Sequence, residues 1–238
     1  MAIATTQRGP TRRRIRPLPL LMGGLLCLVF VAAALWWMAG RWTPSRDSYP
    51  VQGFAVSAGN GEIDWLTIRS GDADFVYIQA TAGGGERNSA FAANWAGARD
   101  VGLRYGAIHR FSLCRRASEQ ARLFIASVPR DNAALPPVVA LDFDAGCAAR
   151  PNRGVVLSEL NTFLNEIEAH SGKPAVLRIS APFDKVYDVS GGINRTVWLI
   201  ANLFTPDYAA HPWVMWTAND WRRVRGVEGT VGWTVVKP

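Results

Sequence analysis

The pattern of apolar and polar residues divides the chain into an uncharged N-terminal segment and a longer region in which strand and helix patterns alternate. Short runs rich in apolar, β-branched and aromatic residues predict strands over 51–57, 75–81, 104–111, 138–144 and 175–180. Apolar residues at spacings of three and four predict helices over 63–70, 89–102, 117–128 and 155–170. After residue 180 the helical patterns fade, and strands are predicted over 196–200, 213–217 and 231–236. This alternation predicts an α/β fold, an irregular TIM-like barrel whose last third departs from the regular pattern.

The strand predicted over 138–144 carries the candidate chemistry. An unbroken apolar run leads into Asp142, Phe143 and Asp144. Side chains at i and i+2 of a strand point to one side, with Cα atoms about 6.5–7 Å apart, so we expect both carboxylates to face one cavity. The carboxyl ends of parallel strands are where such sites lie in barrels and open sheets. The alternative is that both acids cap the following turn, a common role of aspartate.

The N-terminal segment predicts membrane insertion. Residues 18–40 are 23 residues without a charge, and as a helix they would extend about 34 Å, enough to cross a bilayer core. Five arginines precede this run, which predicts a cytoplasmic N-terminus. We therefore predict a basic cytoplasmic tail, a transmembrane helix, a polar linker and an exported barrel domain, over 1–17, 18–40, 41–50 and 51–238.

The predicted location is the cell inner membrane, in a single-pass arrangement with the C-terminal domain in the periplasm or another extracytoplasmic space. Trp36, Trp37 and Trp42 fit an interfacial aromatic belt on the far side of the membrane. A cleaved signal peptide is the alternative interpretation of the same segment. Both interpretations export the domain.

Net charge argues against nucleic-acid binding. The formal charge is +7, of which the five arginines before residue 17 supply +5, and residues 1–40 contain no acid. The rest of the chain carries only +2 and has no basic stripe interleaved with aromatic residues. We therefore expect no nucleic-acid partner.

Several segments of the exported region together carry a resemblance to a known family. They are GFAVS at 53–57, GEIDW at 61–65, FVYIQAT at 75–81, Phe91 with Asn94, GLRYGA at 102–107, HRF at 109–111, LDFD at 141–144, WLIA at 198–201 and GVEG at 226–229. In order and spacing the chain resembles the family 25 glycoside hydrolases, lysozymes of the Chalaropsis type, from about residue 51 to 236. The resemblance implies a flattened α/β barrel with some helices missing. It also implies cleavage of the β-1,4 bond between N-acetylmuramic acid and N-acetylglucosamine in peptidoglycan.

The chain departs from the family at most of its acidic positions. The first strand of the family carries an aspartate where this chain has Ala55, and the second ends in Thr-Glu-Gly where this chain has Ala82. The central Asp-x-Glu motif keeps its first acid as Asp142, while Asp144 replaces the glutamate. The last strand carries an aspartate where this chain has Gly232.

The remaining acid pair supports one reaction scheme and leaves two alternatives. Glycoside hydrolysis needs a proton donor and a second group on the other side of the sugar ring, which in substrate-assisted enzymes is the acetamido group of the sugar itself. Asp144 is the predicted proton donor, and Asp142 the residue that steers the acetamido group or stabilises charge. The alternatives are a non-catalytic relative that binds cell-wall glycan or an envelope protein through the same cleft, and a tethered barrel without a glycan role. The expected partner is peptidoglycan or another N-acetylated glycan.

Strand aromatics and cysteines complete the candidate residues. The predicted sugar-binding side chains, each with core packing as the alternative, are Tyr77, Tyr105, His109, Trp198 and Trp216. Cys114 and Cys147 follow neighbouring strands at one edge of the predicted barrel in an oxidising compartment, which predicts a disulfide, with two separate buried thiols as the alternative. The three histidines lack metal-site spacing, so we expect no metal, and no cofactor is expected.

Overall fold

The computed structural model describes residues 17–238, so the predicted basic tail lies outside the described residues except at its last position. The chain divides into two compact units at Met38 and Ala39. Helix α1, Pro17–Ala39, belongs to the first unit except for its last residue. Among the residues that the structure describes, no helix combines the length and the apolar character needed to cross a membrane.

The second unit is built on a closed sheet. Its strands are β1 (Gln52–Val56), β2 (Phe75–Ala82), β3 (Glu86–Arg87), β4 (Arg104–Arg110), β5 (Val138–Leu141), β6 (Val176–Ile179), β7 (Thr196–Ile200), β8 (Met215–Arg222) and β9 (Val231–Val236). The order β1-β9-β8-β7-β6-β5-β4-β2-β3 is closed by pairing of β1 with β2. Strand β3 forms only a short hairpin with β2, so the other eight of these strands make the barrel, as expected for an α/β barrel.

Helices cover part of the outside of the barrel. They are α2 (Trp65–Arg69), α3 (Phe91–Asp100), α4 (Ala117–Ser127), α5 (Arg153–Ser171), α6 (Ala181–Tyr187) and α7 (Val189–Gly192). Local sequence fixes their ends: Asn152 accepts a hydrogen bond from the Val155 N–H at the start of α5, and Gly172 adopts a left-handed conformation at its end. Short α6 and α7 were not predicted, because seven- and four-residue helices give too few turns for a periodic pattern.

The last third of the barrel is irregular, as predicted. Strand β9 runs antiparallel to both neighbours, β8 and β1, and no described helix separates β7 from β8 or β8 from β9. The register between β8 and β9 also shifts twice, once between Thr217 and Asn219 and once between Asn219 and Arg222. These irregularities determine which side chains of β8 reach the end of the barrel.

Two hydrophobic clusters pack on the two faces of the sheet. The smaller one contains alternate strand residues, among them Tyr77, Val138 and Trp198. Gly106 is the cross-strand partner of Tyr77, and a Cβ there would lie 2.3 Å from the Tyr77 ring, so glycine is required beside this aromatic. The larger cluster lies between the sheet and the helices. Filling on both faces makes the barrel a packed core and not a pore.

Two predicted boundaries were wrong. Strand β5 ends at Leu141, three residues before the predicted end, because the acids that follow form hydrogen bonds within a turn. The segment 41–50, expected to be a linker, packs on the barrel within the second unit. Asn219 donates hydrogen bonds to the carbonyl oxygens of Ala39 and Trp42, and the Tyr49 ring stacks on Trp213 with centroids 6.3 Å apart.

Candidate active site

A cavity of about 450 Å³ lies where the parallel strands end, and we call it the cleft. It is lined by the ends of β2, β4, β5 and β6, the β2–β3 hairpin, and the loops that follow β4 and β5. Its charged lining residues are Glu86, Arg110, Arg115, Asp142, Asp144 and Arg178. Three carboxylates and three guanidinium groups therefore meet in one water-accessible space, at the edge where parallel barrels carry their chemistry.

A larger surface hollow of about 850 Å³ lies at the opposite end, where α5 ends and β7 begins. Its one acid, Glu168, forms two hydrogen bonds of 2.7 and 2.9 Å with Arg195 and a third with the Ala175 N–H. A carboxylate with these partners is engaged in holding the structure together. The cleft is therefore the better candidate for a reactive site.

Asp142 is fixed at the mouth of the cleft by two hydrogen bonds. Its Oδ1 accepts from the Ser180 hydroxyl and from the Phe143 N–H, both at 2.8 Å. Among the described residues, no hydrogen bond reaches its Oδ2. The Phe143 ring packs against Phe183, with centroids 5.2 Å apart, and the Arg150 guanidinium lies over its face. Asp142 and Asp144 therefore line the same cavity as predicted, although the chain has already left the strand.

Asp144 lies in the turn that follows. Its Oδ1 accepts a hydrogen bond from the Gly146 N–H at 3.0 Å and lies 3.9 Å from an Arg110 nitrogen. Asp144 therefore caps the turn and also lines the cleft, so both interpretations of this acid hold. Its side chain is 41% exposed, which leaves it accessible to a ligand.

Arg178 and Asp220 are charged residues that the sequence interpretation missed. Arg178 projects into the cleft from β6, and its Nη2 lies 3.8 Å from Oδ1 of Asp220 on β8. Among the described residues, Arg178 Nε has no hydrogen-bond partner. Burial lowers the pKa of Arg178, against the carboxylates of Asp220 and Asp142, which raise it. Burial raises the pKa of Asp220, and Arg178 opposes that shift.

Two positions where the family carries acids face each other in the sheet. Ala55 of β1 and Gly232 of β9 are direct cross-strand partners. A Cβ on Gly232 would lie 3.2 Å from Oδ1 of Asp220. On β2, Ala82 pairs with Glu86 of the hairpin, and cross-strand partners present their side chains to the same face. Of the three positions, Gly232 and Ala82 therefore each have a carboxylate on an adjacent strand, Asp220 and Glu86 respectively.

Tyr77 and Trp198 do not line the cleft. They pack inside the barrel with ring centroids 5.3 Å apart, and the Trp198 indole donates a hydrogen bond to the Thr217 hydroxyl at 2.7 Å. Burial raises the pKa of Tyr77. Both side chains are buried in the cluster inside the barrel, so the predicted sugar contact is wrong and core packing is correct.

Tyr105 and Trp216 are also core residues. The Tyr105 hydroxyl donates to Asp131 at 2.6 Å, and burial together with this carboxylate raises the pKa of Tyr105 to about 12. Trp216 lies in a cluster with Trp42 and Trp213 and donates to the carbonyl oxygen of Ala201. Both side chains lie among other aromatic rings outside the barrel, so neither lines the cleft.

His109 is a buried structural histidine. Its Nδ1 lies 2.8 Å from the Thr81 hydroxyl and its Nε2 lies 3.1 Å from Oε1 of Gln120, while its ring stacks on Phe163. Because the Gln120 amide nitrogen donates to the carbonyl oxygens of Ser112 and Arg115, its Oε1 is the acceptor at His109. In the neutral ring the proton therefore lies on Nε2, which donates to Gln120, and Nδ1 accepts from the Thr81 hydroxyl. Burial lowers the pKa of His109 to about 4.

A disulfide closes one side of the cleft. Cys114 and Cys147 are joined, with their Cα atoms 5.7 Å apart and 33 positions apart in the chain. Both cysteines line the cleft. The loop after β4 is thereby tied to the turn that carries Asp144.

Comparison with known proteins agrees with this geometry. The family described as Glycosyl hydrolases family 25 matches residues 55–227. Lysozyme M1 of Streptomyces globisporus is 32% identical over 128 residues, covering 52% of this chain and 42% of that protein. The protein YegX of Escherichia coli K12, described as uncharacterized, is 29% identical over 195 residues, covering 79% of this chain and 70% of YegX.

A solved family 25 glycosyl hydrolase from Bacillus anthracis superposes with a TM-score of 0.75 at 27% identity, covering 83% of this chain and 92% of that one. The family match spans well over half of the sequence, and the fold of the barrel agrees with it. The resemblance found in the sequence is confirmed, and the chain belongs to family 25 of the glycosyl hydrolases.

Proposed function

We propose that the chain hydrolyses the β-1,4 bond between N-acetylmuramic acid and N-acetylglucosamine in peptidoglycan, with Asp144 as the proton donor. The observation that carries the proposal is the placement of Asp142 and Asp144 in one cleft at the end of β5, in a chain of the glycosyl hydrolase family. The lysozyme relative supports the choice of substrate.

Asp142 is suited to orient a substrate group. Its Oδ1 is occupied by Ser180 and the Phe143 N–H. The second oxygen remains for a donor such as an acetamido N–H. When the acetamido oxygen attacks the anomeric carbon, positive charge develops on that group, and the Asp142 carboxylate stabilises it.

Asp144 transfers its proton to the glycosidic oxygen as the bond to the anomeric carbon breaks. Water then opens the cyclic intermediate, and its proton returns to Asp144. The side chain is exposed enough for contact with substrate, and the Gly146 N–H orients it. The two acids, the sugar and water account for every proton transferred and every bond formed or broken in these two steps.

The test is incubation of the full-length chain, purified in a mild detergent, with purified peptidoglycan. We expect new reducing-end muramic acid among the soluble products by mass spectrometry, and its loss in Asp144→Asn. Asp100→Asn is the matched control, because Asp100 is an exposed acid at the end of α3. Unchanged hydrolysis by Asp144→Asn would contradict the assigned mechanism.

Glycan binding without turnover is a second candidate function. It is favoured by Ala55 and Gly232, which leave the β1–β9 side of the barrel without carboxylates of its own. This function predicts retention of the folded chain on peptidoglycan with no new reducing ends. It also predicts equal retention of Asp144→Asn, which separates it from the hydrolytic proposal.

The proposed setting is the inner membrane, with residues 18–40 as a single anchor and the barrel outside the cytoplasm. The uncharged run after five arginines supports this arrangement. A disulfide at the cleft also fits an oxidising compartment. Fractionation of cells that produce the full chain, followed by protease treatment from the outer side, tests it. Recovery of the chain in the soluble cytoplasm would refute both anchoring and export.

A further inference from the structure

The register shift in β8 turns one acid toward the inside of the barrel end. Before the shift, the Thr217 hydroxyl accepts the hydrogen bond from the Trp198 indole inside the barrel. After it, the Asn219 amide reaches outward to the carbonyl oxygens of Ala39 and Trp42. Asp220 therefore points inward, toward Arg178. A bulge re-aims side chains in this way, since it interrupts the alternation of a strand.

The inward carboxylate lies where a side chain on β9 would lie. A Cβ on Gly232 would be 3.2 Å from Oδ1 of Asp220 and 3.7 Å from Nη2 of Arg178. A carboxylate carried by position 232 would therefore occupy nearly the same space and meet the same guanidinium. The backbone N–H of Asp220 donates to Oδ1 of Asn202 at 2.8 Å, which fixes the chain at this point.

Arg178 connects this acid with the cleft. Its side chain is 20% exposed, lines the cleft, and lies 5.4 Å above the Trp198 ring. It pairs with Ala140 across β5 and β6, two residues before Asp142. The carboxylates of Asp220 and Asp142, and less strongly the phenol of Tyr208, act on Arg178 and raise its pKa. The guanidinium thus lies between the cleft, which it lines together with Asp142, and the Asp220 carboxylate behind it, 3.8 Å away.

We propose that Asp220 supplies from β8 the carboxylate that position 232 lacks, and that it is a positioning residue that holds Arg178 beside Asp142. This inference rests on the proposed hydrolysis, in which Asp142 orients the substrate. Without Asp220, Arg178 loses the partner behind it and pairs with Asp142 alone, which occupies the carboxylate oxygen that the substrate needs. Misplacement of a positioning group by about 1 Å costs on the order of 10²-fold in rate.

The decisive experiment moves the carboxylate between strands. The full-length chain is compared with Asp220→Ser, Gly232→Asp and the double variant in peptidoglycan hydrolysis, with Asp100→Asn as the control. We expect Asp220→Ser to lower kcat on the order of 10- to 100-fold with little change in KM, because the loss lies in orientation. The double variant is expected to regain most of that rate. An unaltered rate in Asp220→Ser overturns the proposal, as does a folded double variant that regains nothing.

A titration separates failure of this inference from failure of the proposed hydrolysis. Carbon-13 NMR of the Asp220 carboxyl group needs no turnover. We expect Arg178→Gln to raise the pKa of Asp220 further and Asp142→Asn to lower it, because these two charges act on it in opposite directions. If the unaltered chain shows no hydrolysis but both shifts appear, the hydrolytic proposal fails and the coupled charges stand. Absence of both shifts overturns the coupling itself.

Discussion

The backbone N–H of Cys147 donates a hydrogen bond to the carbonyl oxygen of Asp144 at 3.0 Å. The disulfide and the candidate proton donor therefore belong to one turn. Through Cys114 the same turn is tied to the loop after β4. Movement of either loop would displace the Asp144 carboxylate, so the covalent bond acts on the geometry of the cleft as well as on stability.

Removal of the disulfide tests this relationship. We expect Cys114→Ser with Cys147→Ser to lower the free energy of unfolding by about 3–4 kcal/mol, the chain-entropy value for a loop of this length, and to lower hydrolysis because the Asp144 turn loosens. Urea denaturation and product analysis measure the two effects. Cys27→Ser is the control, since Cys27 is an exposed free cysteine. Equal stability in the double variant and the control would contradict the prediction.

Lengthening the side chain of the proposed proton donor provides a second test. Asp144→Glu extends the carboxylate by about 1.5 Å, one C–C bond, and restores the residue of the family motif. We expect it to keep or raise the rate of peptidoglycan hydrolysis. Asp142→Glu is the matched control and is expected to lose rate, because lengthening breaks the fixed contact with Ser180. A loss in Asp144→Glu as large as that in Asp144→Asn would argue against Asp144 as the donor.

Much of the fold could be predicted from the sequence, since strand and helix patterns alternate over its first five strands. The position of Asp142 and Asp144 was also predictable, because an acid pair at the end of a buried strand meets the cleft edge of a parallel barrel. Phe143 between them packs against Phe183, while both acids line the cleft. The pattern over these residues thus predicted their common side, although β5 is shorter than expected.

Other parts of the site could not be predicted from local patterns. Asp220 reaches the barrel end because the β8 register shifts, and such a bulge interrupts the strict alternation on which a strand prediction relies. Glu86 lies in a two-residue strand that no pattern marks. Strand aromatics such as Tyr77 fit either face of a sheet, and their burial follows from neighbours that are distant in sequence, including Gly106.

Glu86 offers a third test of the cleft. It lies opposite Ala82, where the family carries a glutamate, and it is an exposed lining residue. We expect Glu86→Gln to weaken hydrolysis or glycan retention while the free energy of unfolding stays within about 0.5 kcal/mol, as is usual for exposed substitutions. Glu62→Gln, an exposed acid outside the cleft lining, serves as the control. Equal glycan turnover and equal retention in the two variants would show that Glu86 does not contribute to substrate binding or hydrolysis.

His109 predicts an acid-dependent loss of stability. Burial lowers the pKa of His109 to about 4, from an ordinary value of 6.5. The unfolded chain therefore takes up a proton before the folded chain does, and stability that is present above pH 6.5 is lost as the pH falls toward 4. The loss is on the order of 3 kcal/mol. We expect urea denaturation to show it in the unaltered chain and in His170→Gln, and to show much less of it in His109→Gln. An identical pH dependence in His109→Gln would contradict the buried, neutral histidine.

Asp220 predicts a pH dependence of opposite sign. Burial raises its pKa above the ordinary 3.8, with Arg178 opposing the shift. The folded chain therefore holds this proton to higher pH than the unfolded chain does. The free energy of unfolding declines as the pH rises from the pKa of Asp220 in the unfolded chain to its pKa in the folded chain. Relative to the unaltered chain, Asp220→Asn is expected to gain stability as the pH rises above the ordinary carboxyl pKa of 3.8, and to lose hydrolysis. Asp131→Asn is the matched comparison, because the Tyr105 hydroxyl lowers the pKa of Asp131 and its substitution should lose stability over rising pH. Urea denaturation of the three chains at several pH values measures both slopes. Asp220→Asn could instead lose stability relative to the unaltered chain as the pH rises, as expected for Asp131→Asn. That result would show that the Asp220 carboxylate stabilises the fold as an ion-pair partner, and would contradict the prediction.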